Sequence, residues 1–299
     1  MSDRARPNGR WIDWGWVRVR RVAVAAVAVL VTVAALLSHP LIDWWRNALE
    51  PIAIELERAR RLAYVASGQP LPGTPDLANL SGRLDAQGLA LGAPVFVRIF
   101  KREFELELWM QRGDRFERFA TYPICRWSGE LGPKLREGDG QAPEGFYTVT
   151  VRALNAASRW HRAFDLGFPN AFDRAHARTG SLLMVHGGCA SIGCFAMTDP
   201  VVDEIWRLIT AALNGGQPRF HVHVFPFRMT PENLASPRNP RWGAFWRELE
   251  RGYAAFEATH VPPIVGVCAG RYIVAQSADR HAGGHEIANS CTDLSGDKG

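Results

Sequence analysis

The chain has 299 residues, 47% of them hydrophobic and 22% charged, enough to bury one large domain with extensions or two small ones. The net charge is +5, but residues 1–21 hold six arginines against two aspartates and so carry four of those charges. No basic tract lies in the body, which argues against nucleic acid as a partner, and no repeat, phosphate-binding loop or dinucleotide fingerprint appears anywhere.

The arginines of residues 1–21 precede Val22 to Leu37, an uncharged apolar run. It is shorter than the roughly 20 residues that span a bilayer, although Trp44 and Trp45 suit an outer interface. A basic start and an apolar core also describe a secretory signal peptide, and Val33-Ala34-Ala35 is the nearest approach to a cleavage site. We read 22–38 as an anchor of the inner membrane, with a removed signal peptide as the alternative. Either way the positive-inside rule sends the body out of the cytoplasm. Residues 39–93 read as a helical spacer and linker. Leucines and isoleucines recur at helical spacing from Asp43 to Ala66, with Glu57 and Arg61 paired on a solvated face. Ser67 to Pro75 then breaks the pattern.

Strands begin at Pro94. Val95 to Phe100 and Glu103 to Trp109 alternate and should pair as a hairpin around Lys101-Arg102, with Arg115 to Tyr122 continuing the sheet. Their alternating charges are most simply its wet face. A turn-rich loop over 138–145 leads into another strand, Phe146 to Val151. Residues 155–179 read as a long polar and aromatic loop, and a long loop inside a compact domain is usually functional. It contains Arg174, His176 and Arg178, which could bind substrate carboxylates because a guanidinium fork matches a carboxylate; the competing reading is surface charge.

The next stretch runs from Ser181 to Asp199. The apolar run Leu182 to Val185 ends at His186 and Gly187-Gly188, which reads as a buried strand delivering His186 to its mouth. A loop of small residues then presents Cys194. A thiol is a useful nucleophile only as thiolate and needs a nearby base or cation. Gly193 leaves the Cys194 amide sterically open, which suits an oxyanion-hole donor. Three other readings stand beside the nucleophile: zinc ligation by His186, Cys189 and Cys194, although a structural site wants four ligands; a Cys189–Cys194 disulfide; and an inert buried thiol.

Beyond the motif, Val201 to Leu213 is an amphipathic helix ended by Gly215-Gly216, and Phe220 to Phe225 is a strand with His221 and His223 on one surface face. Residues 230–277 read as a C-terminal helical extension packed by Trp242, Phe245, Trp246 and Leu249, with a strand returning over 261–268. The tail, 278–299, has no core-forming content and reads as disordered.

His186-Gly187 followed by Ser191-Ile192-Gly193-Cys194 resembles the active-site signature of the YkuD-type L,D-transpeptidases, and the longer run through Cys189 and Phe195 to Asp199 resembles their YafK-like branch. Pro143-Glu-Gly-Phe-Tyr147 resembles a second segment of those domains. The resemblance implies a mainly β fold, a sandwich or barrel-like catalytic domain over 94–229 with flanking helices. It implies Cys194 as nucleophile and His186 as base, which disfavours a disulfide that would cap the nucleophile. It also implies a main-chain carbonyl, placed at Gly187, that fixes the imidazole tautomer, amides of Gly193 and Cys194 around the oxyanion, help from Ser191, and no cofactor. The implied substrates are peptidoglycan stem peptides in the periplasm, attacked at the L-centre of diaminopimelate, with hydrolysis of a lipoprotein-linked lysine as the YafK-like outcome. Transpeptidation is the alternative reaction, and a catalytically silent, membrane-tethered wall-binding protein is the alternative of another class. Many family members carry an arginine two residues after the nucleophile; here Ala196 stands there. The missing cation counts as a second argument for hydrolysis.

Overall fold

The structure, a computed structural model, describes residues 49–235 and 241–276 throughout, and 27–29, 31–33, 287 and 291 besides. Contacts divide the chain between residues 50 and 51. In the first unit residues 27–29 and 31–33 are helical and exposed; most of the segment read as an anchor lies outside the described residues. Among the described residues no helix is long and apolar enough to cross a membrane.

The second unit holds twelve described strands. The first six are β1 (Val95–Phe100), β2 (Glu105–Arg112), β3 (Arg115–Pro123), β4 (Arg126–Trp127), β5 (Gly145–Thr150) and β6 (Leu154–Ser158). They are followed by β7 (His161–Asp165), β8 (Met184–His186), β9 (Phe195–Ala196), β10 (Arg219–Phe225), β11 (Ile264–Cys268) and β12 (Arg271–Ala275). The helices are α1 (residues 49–66), α2 (Leu80–Ala86), α3 (Ala171–Ala175), α4 (Asp199–Asn214), α5 (Pro231–Ala235) and α6 (Gly243–Thr259).

Two five-stranded mixed sheets, ordered β3-β2-β1-β10-β5 and β4-β9-β8-β7-β6, share one apolar core, and β11 and β12 form a separate hairpin. The core takes Val97, Leu108, Val149 and Val222 from the first sheet and Trp127, Phe164, Val185 and Phe195 from the second. The helices do more than flank it. An apolar stripe of α4, Val201, Ile205, Leu208 and Ile209, enters the core, as periodicity at i, i+4, i+7 and i+8 requires. Phe245, Trp246 and Leu249 of α6 enter it too.

Several expectations change here. The charges of β1 and β2 are not a wet face: Arg98 is 2% and Glu107 0% exposed. They are ion-paired at 2.8 Å, beneath α6, whose Glu257 takes a second arm of Arg98. Burial pushes the Glu107 carboxyl up, but Arg98 and Arg228 outweigh it and hold it at about 2. Residues 51–93 are no free spacer, since Leu71, Leu80, Leu84 and Leu89 are all buried. Arg58 donates to Gly129 O at 2.6 Å and Arg61 to Ile124 O at 2.8 Å. Arg61 does pair with Glu57, but its guanidinium also lies over the Phe104 ring, 4.8 Å from the centroid, a cation–π contact. Of the segment read as a disordered tail, Ile287 is buried and Cys291 is bonded to Cys268.

His221 and His223 are likewise buried, not surface. His223 is boxed by Phe96, Phe146 and Phe225, and neither of its ring nitrogens has a hydrogen-bond partner. Among the described residues no group of three or more His, Cys, Asp or Glu side chains could hold a metal ion.

Cys189 is bonded to Cys125, 64 residues away, not to Cys194, which is the free cysteine. Spacing cannot choose among the pairings of five cysteines; the fold chooses, because Cys125 follows β3 and its amide donates to Ala196 O. Closing a loop of that length contributes on the order of 4 kcal/mol in a chain-entropy account. We therefore expect the double substitution Cys125→Ser, Cys189→Ser to lower the unfolding free energy by roughly 2–4 kcal/mol, read by urea melts. Thiol titration of the denatured, unreduced wild type should find one thiol. More than one, or a double variant as stable as wild type, would show the bond unformed.

His223 gives a second expectation. Burial holds its imidazolium far below the ordinary range. Below about pH 6.5 the unfolded chain takes up a proton that the folded chain refuses, so stability falls as pH falls. Replacing His223 by Phe should remove about 1 kcal/mol of the loss between pH 7 and 5.5; an unchanged slope in thermal melts over that range would rule the effect out.

Candidate active site

The site is built on three short strands. β8 and β9 run parallel with Val185 opposite Phe195 and His186 opposite Ala196, and β4 pairs antiparallel to β9 with Arg126 opposite Ala196. Successive side chains point to opposite faces of a sheet. Val185, Phe195 and Trp127 enter the core, so His186, Ala196 and Arg126 form one row on the other face. Cys194, two residues before Ala196, belongs to that face.

The connection from His186 to Phe195 is short for a parallel pair, and its backbone is held at every turn. Gly187 must lack a side chain, because a Cβ there would run into Asp199 at the start of α4. The Gly188 amide donates to Asp199 Oδ1 at 2.8 Å. Gly193 sits at φ +106°, a region that favours glycine. Cys189, at φ +52°, is fixed by its disulfide.

His186 is 2% exposed, and its Nδ1 lies 2.6 Å from Gly187 O. A carbonyl only accepts, so Nδ1 carries the proton and Nε2 is left with its lone pair. Trp160 stacks over the ring at 6.0 Å between centroids. Burial pushes the imidazolium below its usual value, against the Gly187 hydrogen bond. The Cys194 thiol is 8% exposed. Burial raises its pKa, opposed in part by the Met184 amide, which donates to Sγ at 3.4 Å. The thiol itself is directed at Leu182 O, 3.5 Å away, and not at the imidazole. Both side chains line one cavity of about 640 Å³.

Two expected roles fit poorly. The Gly193 amide donates to Ser128 Oγ, and the Cys194 amide to Ser191 Oγ at 3.1 Å. Both donors assigned to an oxyanion are thus occupied by hydroxyls, which also contact each other at 3.1 Å. Ser191 braces the loop further, donating to Cys194 O at 2.7 Å. An oxyanion reaches these amides only by displacing the serines. The second misfit is the trio Arg174, His176 and Arg178, none of which lines the cavity. Arg178 is buried against Asp173 at 2.8 Å, with Phe172 and Phe245 under its guanidinium. Arg174 bonds Pro169 O, and His176 stacks on Phe172. α3 carries them toward the C-terminal hairpin, where a Cβ on Gly270 would touch His176.

The cavity takes other residues that no motif announced. Trp160 and Arg159 come from the turn between β6 and β7, where an irregular loop was expected, and Leu62 comes from α1. Arg126 stands directly across from Ala196, so the argument that this face lacks a cation falls. The signal for Arg126 and Ser128 is the register of a two-residue strand, which periodicity cannot reveal.

No family model matches the chain. The "Putative L,D-transpeptidase YafK" of Escherichia coli K12 is 44% identical over 202 residues, 68% of this chain and 82% of that protein. The protein of the same name from Escherichia coli O157:H7 gives the same values. Among solved structures, the helical cell shape determining protein Pgp2 of Campylobacter jejuni overlaps at 16% identity and a TM-score of 0.37, covering 54% of this chain and 60% of that one. Bd1075 of Bdellovibrio bacteriovorus does so at 17% and 0.34, covering 56% and 58%. Overlaps that small carry no argument. The identity to the Escherichia coli proteins, over two thirds of this chain and most of their length, does: the chain belongs to the YafK-type family of L,D-transpeptidases.

Proposed function

We propose that the protein is a cysteine acyl-transfer enzyme of peptidoglycan stem peptides, working outside the cytoplasm, and that water is its acceptor. The observation that carries the reading is the Nδ1–Gly187 contact, which leaves Nε2 as a base in the cavity that also holds the free thiol of Cys194. Sγ attacks the carbonyl on the L-centre of diaminopimelate, and its proton passes to Nε2. The tetrahedral adduct collapses to a thioester as Nε2 hands that proton to the departing lysine amine. Water then adds to the thioester with Nε2 as base, and the thiol is restored with release of a carboxylic acid.

The choice of hydrolysis rests on the extent of the YafK-like likeness, which takes in Cys189 and runs past Cys194 through Phe195 to Asp199. The relatives' name speaks for transfer to an amine instead, so the acceptor is what the experiment decides. Residues 22–38 would tether the enzyme to the inner membrane, and the substrate would include lipoprotein joined to the wall.

Purified protein incubated with lipoprotein-linked muropeptides should release the peptide carrying the lysine, seen by mass spectrometry. Cys194→Ala should abolish release, and His186→Ala should slow it by roughly 10²–10⁴-fold. Formation of diaminopimelate–diaminopimelate dimers from tetrapeptides, with linked lipoprotein untouched, would replace hydrolysis by transpeptidation. Release that persists in Cys194→Ala would overturn the nucleophile.

The pH dependence follows from burial, which lowers the His186 imidazolium and raises the Cys194 thiol, so both are neutral near pH 7. The acid limb of kcat/KM should therefore lie below the ordinary imidazole value of about 6.5 and be flat through neutrality. Iodoacetamide should label Cys194 slowly at pH 7 and faster only above about 8.5. Rapid labelling at pH 6 would instead mean a preformed thiolate–imidazolium pair.

A further inference from the structure

The arginines of the body are mostly committed. Arg58, Arg61, Arg83, Arg98, Arg178 and Arg228 each hold a carboxylate. Arg126 holds none among the described residues, and the charged group it acts on is a second cation, Arg58. It lines the cavity with His186 and Cys194. Register explains why it faces that way, because Arg126, Ala196 and His186 lie in one row across β4, β9 and β8. Strands are spaced by roughly 4.8 Å, so the backbones of Arg126 and His186 stand about 10 Å apart. Between them in register stands Ala196, which is fully buried. A guanidinium that repels its charged neighbour and meets no anion is an incomplete ion pair on the face where the reaction occurs.

We propose that Arg126 is the substrate-binding residue that grips the free carboxylate of the diaminopimelate being attacked, closing over Ala196 and aiming the scissile carbonyl at Cys194. The planar fork takes a carboxylate through two parallel hydrogen bonds, which fixes orientation as well as position. The carboxylate also supplies the anion that α1, with Arg58 on that side, fails to provide. Arg159, exposed at the rim and lying over Trp160, can attract the same group but has no strand register to aim it. This assignment rests on the acyl-transfer reading above and adds the feature of the substrate that the site selects.

The test uses the full chain and two peptides containing the diaminopimelate–lysine link, one with the free diaminopimelate carboxylate and one with that carboxylate amidated. Wild type should lose roughly tenfold or more in kcat/KM on amidation, as expected for a charged hydrogen bond. Arg126→Ala should lose a similar factor on the free peptide, chiefly through KM, and become indifferent to amidation. Arg126→Lys should recover part of the preference, and Arg159→Ala should keep most of it. An Arg126→Ala enzyme that retains the wild-type preference overturns the assignment, as does a preference that disappears only in Arg159→Ala. Should Arg126→Ala fail to fold by circular dichroism, Arg126→Gln takes its place with the same outcomes. If wild type turns over neither peptide, the reaction reading has failed on its own. Calorimetric titration of both peptides then still decides: a preference for the free carboxylate that needs Arg126 supports the grip, and equal affinities sink it.

Discussion

Everything in the site depends on joining two parallel strands with a connection shorter than a parallel crossover normally allows. β8 ends at His186 and β9 begins at Phe195. The residues between must leave the sheet, reverse, and return in register. That requirement accounts for the glycines, for the left-handed backbone at Gly188, Cys189 and Gly193, and for the anchors on every side. Asp199 holds the Gly188 amide, Ser128 and Ser191 hold those of Gly193 and Cys194, and Cys125 holds Cys189. A non-glycine residue in the left-handed region costs of order 1–3 kcal/mol and persists only where its surroundings over-determine it. Cys189 meets that condition through the disulfide and through Leu71, which packs on it from the 67–75 segment.

The anchors depend in turn on buried charge. Ser128 belongs to the stretch after β4, and its continuation is secured by Lys101, whose Nζ donates to Gly132 O, Ala142 O and Glu144 within one fully buried cluster. The other Glu144 oxygen accepts from the Trp246 indole of α6 at 2.9 Å. An ion pair so buried is weak evidence for stability, since desolvation consumes much of its Coulomb energy. Breaking it is costly, however, because one charge would remain without a partner. Its contribution is therefore positional. It joins β1, the stretch that continues from Ser128, and α6.

That His186 and Cys194 would share one cavity was legible because His186, Gly193 and Cys194 lie within one local run whose residue types carry chemistry by themselves. The strands were legible for a similar reason: β1, β2, β3, β5 and β10 alternate or form apolar runs at the scale of a single element. What periodicity could not show was which face another element would cover. Arg98 and Glu107 have the pattern of an exposed face and are buried because α6, some 140 residues later, packs upon them. Arg58 and Arg61 lie on a helix with the pattern of a solvated face and are buried because their acceptors are carbonyls on either side of β4. Arg174, His176 and Arg178 have the composition of an anion site, yet the Pro169 carbonyl, Phe172 and Asp173, close in sequence, had already claimed them. Arg126 carries no signal in its neighbours at all. Its place follows from the pairing of one residue on β4 with one on β9.

On the proposed reading, burial of His186 and Cys194 also bears on when the reaction can start. In low dielectric both a thiolate and an imidazolium are penalised, and the resting arrangement honours that: the thiol proton points to Leu182 O and the imidazole is neutral. Charge separation becomes favourable only if something stabilises the thiolate or its adduct. The Met184 amide supplies part of this, and the two occupied amides can supply more once an oxyanion replaces the serine hydroxyls. Each of these contributions grows as water is excluded. On the proposed acyl-transfer reading, a bound peptide would exclude water, draw Cys194 from Leu182 towards Nε2, and bring the oxygen that competes with Ser128 and Ser191. On that reading the same loop that holds the Cys194 thiol protonated would become, once a substrate oxygen displaced those hydroxyls, the element that stabilises the adduct.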